Sequence, residues 1–166
     1  MANTVPSAFG LSLLSGHHDF ATGGNSFKLA LYTTNPYNVD STVFAGGTGN
    51  GEVDPANSSN YVAGGNALTS QAVARGDGTS TGKLVATVDF ANTLWGAATT
   101  GAATFGAAFG AIYNTSTVDG LANRLVVVLD FGGTKTATAG DFTVAYTDPT
   151  TGSPAGSAAI ISLNAN

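Results

Sequence analysis

Cysteine is absent from the 166-residue chain, so no disulfide can staple it and no thiol chemistry is open to it. Charge is scarce as well. Only 9% of residues are Asp, Glu, Lys or Arg, well under the usual quarter of a globular chain. The basic residues Lys28, Arg75, Lys83, Arg124 and Lys135 are scattered, and the formal net charge is -5. That excludes the clustered Lys and Arg surface that neutralises nucleic-acid phosphates. No apolar run approaches the roughly 18 to 20 residues of a membrane span, and no basic segment followed by an apolar core reads as a signal peptide. A soluble protein that acts without membrane or nucleic acid is the expectation. With so few surface charges, it also lacks the usual protection against association, which points to surface covered by other subunits.

Gly, Ala, Ser, Thr and Asn fill the space those charges leave, and the apolar residues among them fall into short alternating runs. Residues 104–146 carry the strongest strand signal, in the runs TFGAAFGAIYN, RLVVVLDFGG and GDFTVAY. Arg124 to Phe131 is apolar on both faces, as in a strand in the middle of a sheet, and Gly132-Gly133 is expected to end it. Ser26 to Thr34 reads as a half-buried strand, with Phe27, Leu29 and Leu31 inward and Lys28, Ala30 and Tyr32 outward. Lys83 to Phe90 reads likewise, with Leu84, Ala86, Val88 and Phe90 inward, and Trp95 plugs one end of the core. Asn66 to Ala74 is a further strand before an Arg75-Gly76-Asp77-Gly78 turn, and Ala159, Ile161 and Leu163 mark the last. No stretch has helical period. The pattern predicts an all-β fold: a single-domain β-sandwich or jelly roll over 26–166 with long Gly-rich loops. Residues 1–25 are read as an N-terminal arm or extended segment.

No constellation of catalytic residues emerges. His17-His18-Asp19 holds both histidines of the chain, but neighbours on a strand point to opposite faces, so a polar turn cluster is the expectation. Ser15 or Ser26 has no nucleophile-elbow sequence around it to make a triad with them. Asp77, Asp89, Asp119, Asp130 and Asp141 are the carboxylates from which an acid/base pair for sugar hydrolysis would be drawn, yet most sit beside glycines or at strand ends, where Asp suits turns. The Gly46–Gly51 run lacks the Lys-Ser/Thr of a phosphate loop. Asn50, Glu52 and Asp54 alternate like the opening of a calcium loop, but Pro55 takes the glycine position and no closing glutamate follows. No catalytic residue, cofactor or metal is therefore expected. Phe9, Leu11, Leu13 and Leu14 in the arm, and Gly46, Asn50, Glu52, Asp54 and Asn57 in the long 39–65 insertion, have no evident place in a core. They are the expected interface residues.

HHDF (17–20) followed by NSFKLALYT (25–33) resembles the start of a family of small virion-associated proteins of tailed bacteriophages. The resemblance continues through Tyr61-Val62-Ala63-Gly64-Gly65 in the place of a YxAGG motif, then DFANTLW, FGAIYN, LDFGG and GDFTVAY. It spans His17 to Tyr146; the 45–60 loop and the tail after Asp148 are where this chain departs from it. It implies a structural part of a phage particle, and among such parts a head decoration (cement) protein on the capsid exterior. Its implied partners are the major capsid protein and copies of itself, as a homo-oligomer assembled in the host cytoplasm. A tail or tail-tip component is the alternative. A carbohydrate-binding module using Tyr32, Tyr37, Tyr61 and Trp95 is the third.

Overall fold

The computed structural model describes residues 3–76, 85–96, 101–146 and 161–164. Among the described residues the fold is all-β with one short α-helix. Its strands are β1 (Phe27–Tyr32), β2 (Asn66–Ala67), β3 (Ala72–Gly76), β4 (Val85–Asp89), β5 (Thr93–Trp95), β6 (Ala103–Asn114), β7 (Arg124–Gly140), β8 (Phe142–Val144) and β9 (Ile161–Asn164). All pairings are antiparallel: one sheet in the order β2-β1-β6-β7, one in the order β3-β4-β9, and the pair β5-β8. This pairing does not by itself trace the two-sheet sandwich or jelly roll of the sequence reading.

The long hairpin β6–β7 dominates, but β7 is not the interior strand that its composition suggested. It lies at the sheet edge, and β6 is interior between β1 and β7. Two other segments cover that edge. Thr4 exchanges both backbone hydrogen bonds with Val128, Asn3 Oδ1 accepts from Asp130 N, and Leu125 N–H donates to Thr42 O. Val43 bridges to Arg124. An edge strand sealed in this way tolerates apolar side chains on both faces, and 124–128 is buried throughout. The glycines at 132 and 133 do not end the strand either. Ala107 pairs with Lys135 but Phe109 pairs with Asp130, so the extra residues of β7 loop out there as a bulge. Gly132 and Gly133 adopt φ of 71° and 125°, which only glycine takes without strain, and Asp130 Oδ1 accepts from Gly132 N.

On one face of the main sheet, Phe27, Leu29, Leu31, Phe105, Ile112 and Val126 join Phe90, Trp95 and Phe142 in the larger core. Trp95 sits inside this cluster, as its size suggested. On the other face Ala30 and Tyr32 are buried, not outward-facing, because Tyr37, Phe44 and Ala45 lie over them with Tyr113, Leu125 and Val128. On β4, Val88 and the following Phe90 are buried as expected, Ala86 is exposed, and Leu84 lies outside the described residues. The expected 66–74 strand is two strands, separated where Ser70 takes φ of 54°. Arg75 and Gly76 belong to β3, while Asp77 and Gly78 lie outside the described residues, as does Ala159.

Residues 3–25 are neither a free arm nor extended. Ser7–Leu14 forms α1. It places Phe9, Ser12 and Leu13 on one side at i, i+3 and i+4, and Phe9 is 2% exposed in the larger core together with Phe20. Gly16 N–H to Leu13 O and His17 N–H to Ser12 O form a Schellman stop, with Gly16 at φ of 74°. The helix has no side-chain cap and carries Gly10 inside it, so packing holds it more than propensity does.

Candidate functional site

The surface with the least explanation inside the domain lies along the outer edge of β7. Leu11 and Leu14 on α1 are 70% and 88% exposed, and α1 has no acidic residue in its first turn and no basic residue in its last. Val5, Val39, Val43 and Leu121 are exposed too, on the segments that flank the same edge. Ser7 N–H and its hydroxyl both reach Val39 O, joining the start of α1 to the 39–43 segment. Leu121 sits in a two-residue turn in which Val118 and Leu121 exchange backbone bonds across Asp119-Gly120. Asp119 in turn forms the ion pair with Arg124 at the start of β7.

The expected interface residues divide between this surface and the interior. Leu11, Leu14, Gly46, Asn50 and Asn57 are exposed, and Asp54 is half-buried. Phe9 is in the core, and Leu13 is partly buried against it. Glu52, expected in an exposed loop, is 4% exposed. The 44–65 segment is not free: it folds back around this one carboxylate. Glu52 Oε2 accepts from Gly47 N at 2.5 Å, and Oε1 accepts from Tyr61 hydroxyl at 2.8 Å and Gly64 N at 2.6 Å. Leu31 N–H donates to the Tyr61 hydroxyl, and the Tyr113 hydroxyl donates to Gly64 O. Alongside, Tyr32 hydroxyl donates to Ala45 O at 2.7 Å and lies 2.6 Å from Tyr37 hydroxyl, which accepts from Ala45 N. Burial raises all four phenols above their ordinary range, Tyr113 to about 12. They stay neutral donors. Gly65 shows why the motif ends in two glycines: a Cβ there would stand 1.8 Å from Leu29 O.

This network takes Tyr32, Tyr37 and Tyr61 into the interior, and Trp95 is 1% exposed, so none presents a ring face for a sugar to stack on. The carboxylates do not assemble a calcium loop. Asp54 caps its own turn by accepting from Ala56 N and Asn57 Nδ2, and Glu52 points inward. Among the described residues no group of three His, Cys, Asp or Glu side chains could hold a metal.

His17 and His18 point apart, but the expected polar turn cluster does not form, because His18 is buried against core aromatic rings. His17 is exposed, with Nδ1 3.9 Å from Asp119 Oδ1, while His18 is 7% exposed between Phe9 and Phe20. Asp19 serves its own turn, accepting from Ala21 N, so no carboxylate orients His18 for a triad. His18 Nδ1 instead meets Asn114 Nδ2 at 3.0 Å. Burial first, then the charge of Arg124, lowers its pKa to about 4, and His18 is neutral at pH 7.

Of the acid/base candidates, Asp130 and Asp141 line one cleft of about 490 Å³ with Lys135, Phe131, Phe142 and Tyr146. Asp119 is committed to Arg124, Asp89 is half-buried at the end of β4, and Asp77 lies outside the described residues. The interior Glu52 network was missed in the sequence. Its only trace was a glutamate followed, after a gap, by a Tyr and paired glycines. In comparisons with known proteins no family model, no curated protein and no solved structure matches this chain.

Proposed function

We propose that the protein is a structural component of a tailed-phage particle, a capsid decoration protein that binds the head exterior and reinforces it across subunit boundaries. The observation that carries this reading is the uncharged α1 with Leu11 and Leu14 turned to solvent beside Val5 and Val39. Leucines so exposed on a helix whose other side is already buried form a face suited to a partner. Burying each such side chain is worth about 1.5 to 3 kcal/mol, enough in sum for docking without any chemistry. The motifs quoted for the phage resemblance have structural work here: HHDF docks the N-terminal segment and YVAGG closes the Glu52 network. They support kinship in fold and setting, with no reaction implied. The partners in this reading are the major capsid protein and further copies of this chain, with the 46–57 loop as a second contact.

The test is add-back. Particles lacking the protein are heated until DNA is released, with and without purified protein. Decorated heads should rupture at a higher temperature, since a ligand that binds only the intact shell stabilises it by mass action. Equal rupture temperatures rule out the cement role. Labelling that then places the protein on the tail selects the tail component.

A further inference from the structure

The environment of His18 can be deduced from hydrogen-bond donors alone. Ser116 N–H donates to Asn114 Oδ1 at 2.9 Å, and a backbone N–H cannot accept, so the Asn114 amide orientation is fixed. Its Nδ2 then faces both His18 Nδ1 and Asn25 Oδ1, each at 3.0 Å. Asn25 Oδ1 also accepts from Asp19 N, which holds that side of the relay in place. His18 Nδ1 must therefore be the acceptor, and the ring proton sits on Nε2, which is buried and has no hydrogen-bond partner. A proton added at Nδ1 would confront the Asn114 amino group, donor against donor.

Among the described residues no carboxylate pairs with the His18 ring. From β7 the facing charge is Arg124, of like sign. From the 118–121 turn it is Asp119, already engaged with Arg124 and close to His17. In its own segment His17 is the other titratable neighbour, and Asp19 is bonded to Ala21 N. α1 presents Phe9, and β6 presents Asn114, neither of them titratable. The ring borders a cavity of about 410 Å³ that Asp19 also lines; β3 and β4 contribute Val73, Ala86, Thr87 and Val88, none of them titratable. That cavity gives a proton a way in.

We propose that His18 is an acid-sensitive latch: when its ring takes up a proton, α1 and the 15–25 segment leave the core while the β1–β6–β7 sheet stays paired. The sheet's ladder does not depend on the ring, whereas α1 has no side-chain cap, contains Gly10 and is held by the packing of Phe9 and its neighbours. Such a segment is the kind that opens locally before the whole fold does. A buried base whose pKa falls from 6.5 to about 4 binds its proton more weakly folded than released. Opening therefore rises about tenfold for each pH unit lost inside that window, and is constant above it.

The absence of cysteine makes the measurement clean. Ser12→Cys puts a thiol at a buried position whose hydroxyl has no hydrogen-bond partner, and Leu14→Cys puts a reference thiol at an exposed one. The reactivity ratio of the two toward 4,4′-dithiodipyridine cancels the thiol's own pH dependence. The ratio should climb about tenfold per unit from pH 6.5 toward 4, with β6–β7 amide protection retained. His18→Asn, which keeps an acceptor toward Asn114 but cannot titrate, should abolish the climb. A ratio that stays flat until the sheet itself unfolds, or that climbs equally with His18→Asn, overturns the latch. If His18→Asn fails to fold, the ring resonance of His18 decides in the Ser12→Cys chain. A folded-state midpoint at the ordinary 6.5, or a climb that falls outside the window between that midpoint and 6.5, overturns it; a depressed midpoint with the climb confined to the window above it supports it.

Discussion

Glu52 accepts the Tyr61 hydroxyl at 2.8 Å inside the domain, and every other group bonded to its carboxylate is a backbone N–H donor. An ionised carboxylate suits that cage, because it has acceptors and nothing else. Glu52→Gln would set an amino group against donors. It should lower the urea midpoint by the equivalent of about 2 to 3 kcal/mol with an unchanged slope. Tyr61→Phe should cost about 1 to 2 kcal/mol, and the double variant less than the sum, since both changes break one network. An additive double variant would show that the two residues act separately.

Gly65 and Gly120 both adopt φ of 71°, but only the first is crowded. At Gly65 an added Cβ meets Leu29 O, whereas at Gly120 nothing lies within 4 Å. Gly120→Ala should therefore show only the conformational penalty, about 1 kcal/mol. Gly65→Ala should exceed about 3 kcal/mol or prevent folding, because β1 itself would have to move. Thermal unfolding of the pair separates the two causes, and equal losses would refute the close approach.

Stability should depend on pH through His18. The folded pKa lies near 4 and the ordinary value is 6.5, so between them the unfolded chain binds the extra proton. The contribution is full above pH 6.5 and is lost as pH falls toward 4, up to about 3 kcal/mol. Chemical denaturation at pH 7.5 and pH 4.5, compared with His18→Asn, measures it. A variant as acid-sensitive as the parent chain would assign the effect to the carboxylates instead.

Val127 is 1% exposed on the covered part of β7. Val127→Asp should yield no soluble folded protein, since an unpaired buried charge costs several kcal/mol. Soluble protein with the parent's melting temperature would contradict the burial of this edge.

Leu11→Ser with Leu14→Ser should leave the denaturation midpoint within about 0.5 kcal/mol of the parent, as surface changes do. In the decoration reading the same protein should fail to protect heads from heat. Undiminished protection would move the contact elsewhere, first to the 46–57 loop.

The sequence by itself determined the all-β class, the places of β1, β4, β6 and the first half of β7, and the burial of Trp95, because period-two patterning is local and survives in any context. It also carried the opposed directions of His17 and His18. Other features were legible but misread: Pro6 before α1 and Gly16 after it mark a helix, yet eight residues hold too few turns for a period to stand out. Tertiary structure alone decided the rest. Whether Arg124 to Phe131 is central or at an edge depends on which segment pairs with it, and Thr4 and Val43 lie far from it in sequence. Whether Tyr32 faces solvent depends on Tyr37 and Phe44 folding over it. Glu52 reads as a loop residue until Gly47, Tyr61 and Gly64 converge on it, and the tautomer of His18 is set by Ser116 through Asn114. In each case the deciding partner is brought in by the fold, and a buried polar group takes its role from the donors and acceptors left facing it.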